Sequence, residues 1–222
     1  MNILVCISKA PDTTSKIGFK DGNTKFNEDG IQFIVNPYDE WYALVRALEI
    51  KESGGGNVTI ISVGGADYEP IMRKALAIGA DDAVRVNAST TDSYQVAAEI
   101  AAYAQANSID LILCGKETID YNGSNVGGMI AGILDQPFVS NAVKLDISGS
   151  AANVSRDKQG GVESLELKLP AVISCAKGMA EQRIPNMRGI MAARTKPLKV
   201  VESCGATALT EMVSFTLPDA KG

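Results

Sequence analysis

The chain has 222 residues, enough for one large domain or two small ones, and its 45% hydrophobic and 21% charged content is that of a folded globular protein. Acids outnumber bases, 26 to 21, for a formal charge of -5, which disfavours nucleic acid as a partner because phosphate binding needs concentrated Lys and Arg. With no histidine, Ser-His-Asp and Cys-His catalytic pairs, histidine-ligated zinc and an imidazole base are excluded. The cysteines Cys6, Cys114, Cys175 and Cys204 form no C-x-x-C, so no thiolate metal site is expected and they read first as small buried hydrophobes. The opening MNILVCISK has no basic leader before its short apolar run, and no stretch nears the ~20 apolar residues of a membrane helix. A reducing, cytoplasmic compartment without membrane insertion is the expectation.

Asn2 to Ile7 is a continuous apolar run, the pattern of a strand buried on both faces. Residues 18–35 carry Gly, Asn and Asp around short apolar stretches and predict an inserted hairpin. Helical spacing from Tyr38 to about Glu52 runs into three glycines at 54–56, which stop it. Val58 to Val63 is a second buried strand, Asp67 to Ile78 a helix ended by Gly79, and Ala83 to Val86 a short third strand. Asp92 caps a helix reaching Ala106, Ile109 to Cys114 is a fourth strand, and Asn125 to Leu134 the next helix. This alternation predicts an α/β fold, a mostly parallel sheet with flanking helices. Residues 138–176 read as successive strands with a turn at Gly160-Gly161, so antiparallel additions are expected in the C-terminal half. Residues 1–202 are expected to form one domain, and 203–222, which show no period, a tail.

In an open parallel sheet, ligands bind beyond the carboxyl ends of the strands. Cys6, Val63 and the pair Cys114-Gly115 fall at such ends. After Gly115 the small polar run Asn122, Gly123, Ser124, Asn125 stands immediately before a helix. Its glycine permits close backbone approach and the helix start favours an anion, so it suits a phosphate; equally, such residues make ordinary turns and caps. It is neither a Walker A loop nor a Gly-x-Gly-x-x-Gly fingerprint. In Asn36-Pro37-Tyr38-Asp39, Asn36 either caps the following helix or turns its amide into the same crevice. Residues 183–196, RIPNMRGIMAARTK, are cationic and interleave Met187, Ile190 and Met191, which suits an adaptable docking surface or a helix with its Met face in the core.

Together these pieces resemble the β subunit of electron transfer flavoprotein over residues 1 to about 202. ILVCISKAPD is similar to the family's opening strand and turn, and NPYDEWYALVRALEIKE to its Asn-Pro-aromatic helix start. ALAIGADDAVRV resembles its Ala-Met-Gly-Ala-Asp segment, and CGKETIDYNGSNVGGM its Gly-Lys-x-x-Ile-Asp nucleotide loop. RDKQGGVESLELKLPAVISC resembles the signature around Gly-Gly and Leu-Pro-Ala-Val, with Gln159 where an acid is usual.

The resemblance implies a Rossmann-like, adenine-nucleotide-binding fold and an electron-carrier subunit rather than an enzyme. It implies a heterodimer with an α subunit that moves electrons from acyl-CoA or other flavin dehydrogenases to an ETF-quinone oxidoreductase type of acceptor. It also implies one structural AMP in this chain and an FAD held mainly by the α subunit. Carried over by position, the AMP contacts are Cys6, Asn36, Pro37, Tyr38, Asp39, Val63, Gly115, Lys116, Glu117, Thr118, Ile119, Asp120, Tyr121, Asn122, Gly123, Ser124, Asn125 and Val126. Thr13 and Asp157 fall at flavin-domain contacts, and Met187, Arg188, Ile190 and Met191 in a partner-docking loop at about 183–196. Thr13 replaces an aromatic, Asp157 is one methylene short of the family carboxylate, and Met187 replaces a leucine anchor. Family members continue as an arm around the α subunit, so a chain ending at Gly222 is read as a short variant or the start of a truncated arm. Two alternatives accompany this reading: a flavin-bifurcating β subunit with a second FAD in place of AMP, and a homodimeric nucleotide-binding regulator of the universal-stress type.

Overall fold

The computed structural model describes residues 1–219; residues 220–222 of the expected tail lie outside them. The chain begins with β1 (Asn2–Cys6), β2 (Lys9–Pro11), β3 (Phe19–Lys20), β4 (Lys25–Phe26) and β5 (Phe33–Val35). Alternation follows: α1 (Asp39–Gly54), β6 (Asn57–Val63), α2 (Glu69–Ile78), β7 (Asp82–Asn87), α3 (Ser93–Ala106), β8 (Leu111–Gly115) and α4 (Val126–Leu134). The last part holds β9 (Phe138–Ser148), β10 (Ala151–Lys158), β11 (Gly161–Lys168), β12 (Ala171–Cys175), α5 (Met187–Ala193) and β13 (Leu198–Glu202). Nine of these strands form one sheet in the order β11-β10-β9-β12-β8-β1-β6-β7-β13. From β9 to β13 every neighbouring pair is parallel, and β10 and β11 continue the sheet antiparallel.

The central strands are predominantly apolar because both of their faces are covered. Ile3 and Val5 of β1, Val58 and Ile60 of β6, and Leu111 and Leu113 of β8 pack in one layer with α1 and α2. The alternate residues, Leu4, Cys6, Ile61, Val63, Ile112 and Cys114, pack on the other face against α3 and α4. Period-two alternation therefore assigns each side chain of a predominantly apolar strand to one of two cores. As expected, Asp92 caps α3, accepting the Gln95 amide at 2.7 Å. The same carboxylate accepts the Thr210 amide at 2.9 Å, which ties the tail across α3.

Three local departures have physical causes. The inserted segment holds a two-residue hairpin, β3 with β4, while β5 turns back to pair with β2, a long-range ladder that local turn signals do not reveal. Strand β13, absent from the sequence reading, adds to the sheet edge in parallel with β7; its partner lies more than a hundred residues away in the chain. The described part of the tail has no helix or strand, yet it is tied down: the Phe215 ring stacks on Phe19 at 4.8 Å, and its amide donates to the Asn23 carbonyl. No helix among the described residues is long and apolar enough to cross a membrane.

Candidate functional site

The mouth of the sheet lies beyond Cys6, Val63 and Gly115, which end β1, β6 and β8, three adjacent strands. The start of α1 closes one side. Helix and strand approach so closely that a side chain at position 115 is excluded: its Cβ would stand 2.9 Å from the Glu40 nitrogen and 3.1 Å from the Asp39 Cβ. Glycine at the end of β8 is therefore what lets α1 begin at the mouth.

The residues 36–39 and 115–126 meet across this contact. Asn36 is fully buried and donates its amide Nδ2 to the Glu117 carbonyl at 2.9 Å. Asp39 accepts the Glu117 N–H at 3.3 Å, so the backbone is held on both sides of Glu117. Asn36 therefore does not cap α1: the capping position is Tyr38, which makes no side-chain capping bond. Residues 116–125 arch over the mouth. Lys116 pairs with Glu117 at 2.8 Å, Ser124 donates to Glu117 at 3.1 Å, and Asn122 and Ser124 both take left-handed φ values, near 50° and 54°. Asn125 stands at the start of α4 without a side-chain cap bond, and Tyr121 through Asn125 are exposed.

Burial controls the chemistry here. It pushes the thiol of Cys114 up to about 12 and those of Cys6 and Cys175 well above their usual range, so these are packing groups rather than nucleophiles. Tyr68, whose ring lies against Gly64, is pushed up to about 12 by burial and then by Asp67, Tyr121 and Asp120. Lys9 anchors that side, pairing with Asp67 at 2.6 Å and Glu28 at 3.2 Å while its ammonium stands 3.9 Å from the Phe33 ring centre.

Glu40 is the residue that sequence reasoning missed. It is only 6% exposed, its Oε2 accepts the Ser8 N–H at 2.9 Å, and burial raises its pKa from 4.5 to about 8. Two acids at a helix start read as ordinary complements of the helix dipole. The available signal was periodicity: Glu40 heads the stripe Ala43, Leu44, Ala47, Leu48, all of it buried. Two buried polar atoms in this region have no protein partner, Asn36 Oδ1 and Ser8 Oγ. Such atoms are costly without a partner, and a bound ligand is one way to satisfy them. An adenylate fits this set, since purine, ribose and phosphate supply both donors and acceptors.

The other sequence-singled residues lie elsewhere. Thr13 is exposed in the insertion, and Asp157 is exposed on β10, its carbonyl accepting from Asn141 Nδ2 at 3.0 Å. Met187, Arg188, Ile190 and Met191 belong to α5, which packs on α2 near the opposite edge of the sheet, roughly 30 Å from β10 at ~4.8 Å per strand. The Met side chains face outward rather than into the core, Met187 at 73% and Met191 at 56% exposure, and Ile184 beside them at 83%. The segment is nonetheless rigidly seated. Asn186 caps α5 through the Gly189 amide at 2.8 Å, and Arg73 takes the Ala193 and Lys196 carbonyls at 2.8 and 2.6 Å. In return, Lys196 caps α2 at Leu76, and Arg183 forks onto Glu52 at 2.5 and 3.0 Å. Among the described residues no group of three His, Cys, Asp or Glu is placed to hold a metal.

Comparison with known proteins places the chain in a family. Residues 23–205 match the family model described as an electron transfer flavoprotein domain. The chain is 37% identical over 206 residues to the electron transfer flavoprotein subunit beta of Bacillus subtilis, covering 91% of this chain and 79% of the relative. It is 35% identical over 223 residues to that of Syntrophomonas wolfei, covering 100% and 87%, and 33% identical over 209 residues to that of Sus scrofa, covering 91% and 82%.

Two outcomes test the local arguments. The folded chain holds a proton on Glu40 between pH 4.5 and about 8 that the unfolded chain has released, so its stability falls across that window as pH rises. Glu40→Gln has no proton to lose, and the stability of wild type relative to this variant in urea is expected to fall by up to about 1.4 kcal/mol per pH unit. A difference independent of pH contradicts the buried carboxyl. At position 189, a Cβ would lie 2.4 Å from the Ala77 carbonyl oxygen. Gly189→Ala gains about 1 kcal/mol of helix propensity, but the backbone clash outweighs it, so a melting point lowered by a few degrees is expected. An unchanged or raised melting point shows that α5 is not held against α2.

Proposed function

The chain belongs to the electron transfer flavoprotein family as a relative of its β subunits, and from that premise we propose that it is the nucleotide-bearing half of a heterodimeric electron carrier. It binds one AMP as a fixed structural element at the mouth bounded by Cys6, Val63, Gly115 and the 116–126 loop. The observation that carries this reading is Asn36: fully buried, tied to Glu117 through Nδ2, and left with an unpartnered Oδ1 at the mouth. Asn36 and Ser8 hold the adenosine end, and the exposed amides of residues 123–125 before α4 take the phosphate, while the Asn122 amide is engaged by the Thr118 carbonyl. FAD, when bound in the complex, supplies the one- and two-electron redox chemistry. This chain's residues support it from outside: Thr13 and Asp157 face the flavin-holding domain of an α subunit, with Asp157 offering a carboxylate to a cationic partner group.

Partner recognition falls to α5. A rigid base carrying exposed Ile184, Met187 and Met191 among Arg183, Arg188 and Arg194 suits an apolar pocket with an acidic rim on a flavin dehydrogenase or on a quinone-reducing acceptor. The exposed Leu209, Val213 and Leu217 of the tail suit burial against the α subunit. Four unbridged cysteines accord with a reducing, cytoplasmic setting. The test is to co-express the two subunits, denature the purified complex and quantify what it releases. One AMP and one FAD per heterodimer are expected. Two FAD without AMP would assign the mouth to a second flavin, and a homodimer carrying ATP would remove the family's mode of action.

A further inference from the structure

Glu40 lies where the ends of β1 and β8 and the 116–125 loop converge. Its Oε2 accepts the Ser8 N–H at 2.9 Å, and the Ser8 hydroxyl lies beside the same carboxylate. Its surroundings carry no countercharge: Asp39 faces it from its own helix, Asp120 from the loop, and the un-ionised thiols of Cys6 and Cys114 from β1 and β8. The nearby Lys116 ammonium is turned onto Glu117 at 2.8 Å. The unpartnered Asn36 Oδ1 and Ser8 Oγ belong to the same region.

A buried carboxylate among acids, with no cation, is most stable in its neutral form. A neutral carboxyl carries one O–H donor. Since Oε2 is already accepting, the proton resides on Oε1. We propose that Glu40 is a proton-linked positioning residue for the nucleotide: protonated, it donates from Oε1 to an acceptor atom of the ligand, and ionised, it repels the phosphate-bearing ligand and loosens it. The proposal rests on the adenylate reading of this mouth and adds a regulation to it, since AMP then binds with uptake of a proton by Glu40. Retention is tight at neutral pH and weakens as the medium becomes alkaline.

The experiment titrates AMP calorimetrically into the nucleotide-stripped complex of the full chain with its flavin-holding subunit, from pH 7.5 to 9.5, where the AMP phosphate stays fully ionised. Wild type is expected to bind AMP about tenfold more weakly at the alkaline end, one decade following from about one unit of titration. Glu40→Gln keeps the shape and an N–H donor, and its affinity is expected to change less than twofold. Parallel pH dependences in the two proteins overturn the proposal. A measurement on wild type alone guards against a poorly folded variant: at pH 8.5, titrations in two buffers of different protonation enthalpy are expected to register a substantial fraction of a proton taken up per AMP, and none overturns it. AMP binding to wild type at no pH is a different result, because it removes the adenylate reading itself and this proposal with it.

Discussion

The contact between the first turn of α1 and the end of β8 governs the functional half of this structure. Gly115 has no side chain, so the Asp39 and Glu40 backbone can lie against it, and the loop that follows must begin beneath the helix start. From that one approach the rest follows. Asn36 reaches the Glu117 carbonyl, Asp39 reaches the Glu117 amide, and Glu40 is buried beneath the mouth, near the strand-end thiols of Cys6 and Cys114. A parallel sheet supplies the mouth by topology. This packing gives it polar walls.

Those walls are unfavourable for the bare chain. A carboxyl without a countercharge, an asparagine oxygen without a donor and a serine hydroxyl without a partner each cost free energy, typically about 1–3 kcal/mol per unsatisfied group. Helices and strands elsewhere leave no comparable cluster among the described residues. Local conflict amid general consistency is how a binding site differs from a core, because a ligand can complete hydrogen bonding that folding leaves open. Helix α5 follows the opposite plan. Its backbone is over-determined by Arg73, Lys196, Asn186 and Gly189, while its apolar side chains are left to solvent.

The parallel sheet was legible because strands covered on both faces are predominantly apolar, as in Asn2–Cys6 and Asn57–Val63, where Thr59 and Ser62 are the buried exceptions. The cap at Asp92 was legible because it is local chemistry at fixed spacing. Strand β13 was not, since Leu198–Glu202 becomes a strand only by pairing with a segment more than a hundred residues earlier. Asn36 showed the same limit at the site: its sequence position suits a cap, and only the fold brings Glu117 within its reach. Glu40 was readable in principle from the buried stripe that it heads, but an acid at a helix start has a simpler reading, which hid it.

The central claim is that the adenine-nucleotide mouth is completed by a ligand bonded to Asn36. Diffraction from crystals of the purified heterodimer, grown without added nucleotide, tests it most directly. Density for a purine nucleotide, with one of its donors within hydrogen-bond distance of Asn36 Oδ1, is the predicted result. An Asn36 oxygen satisfied by protein or solvent alone, with Tyr68 and Tyr121 filling the space, would contradict the account.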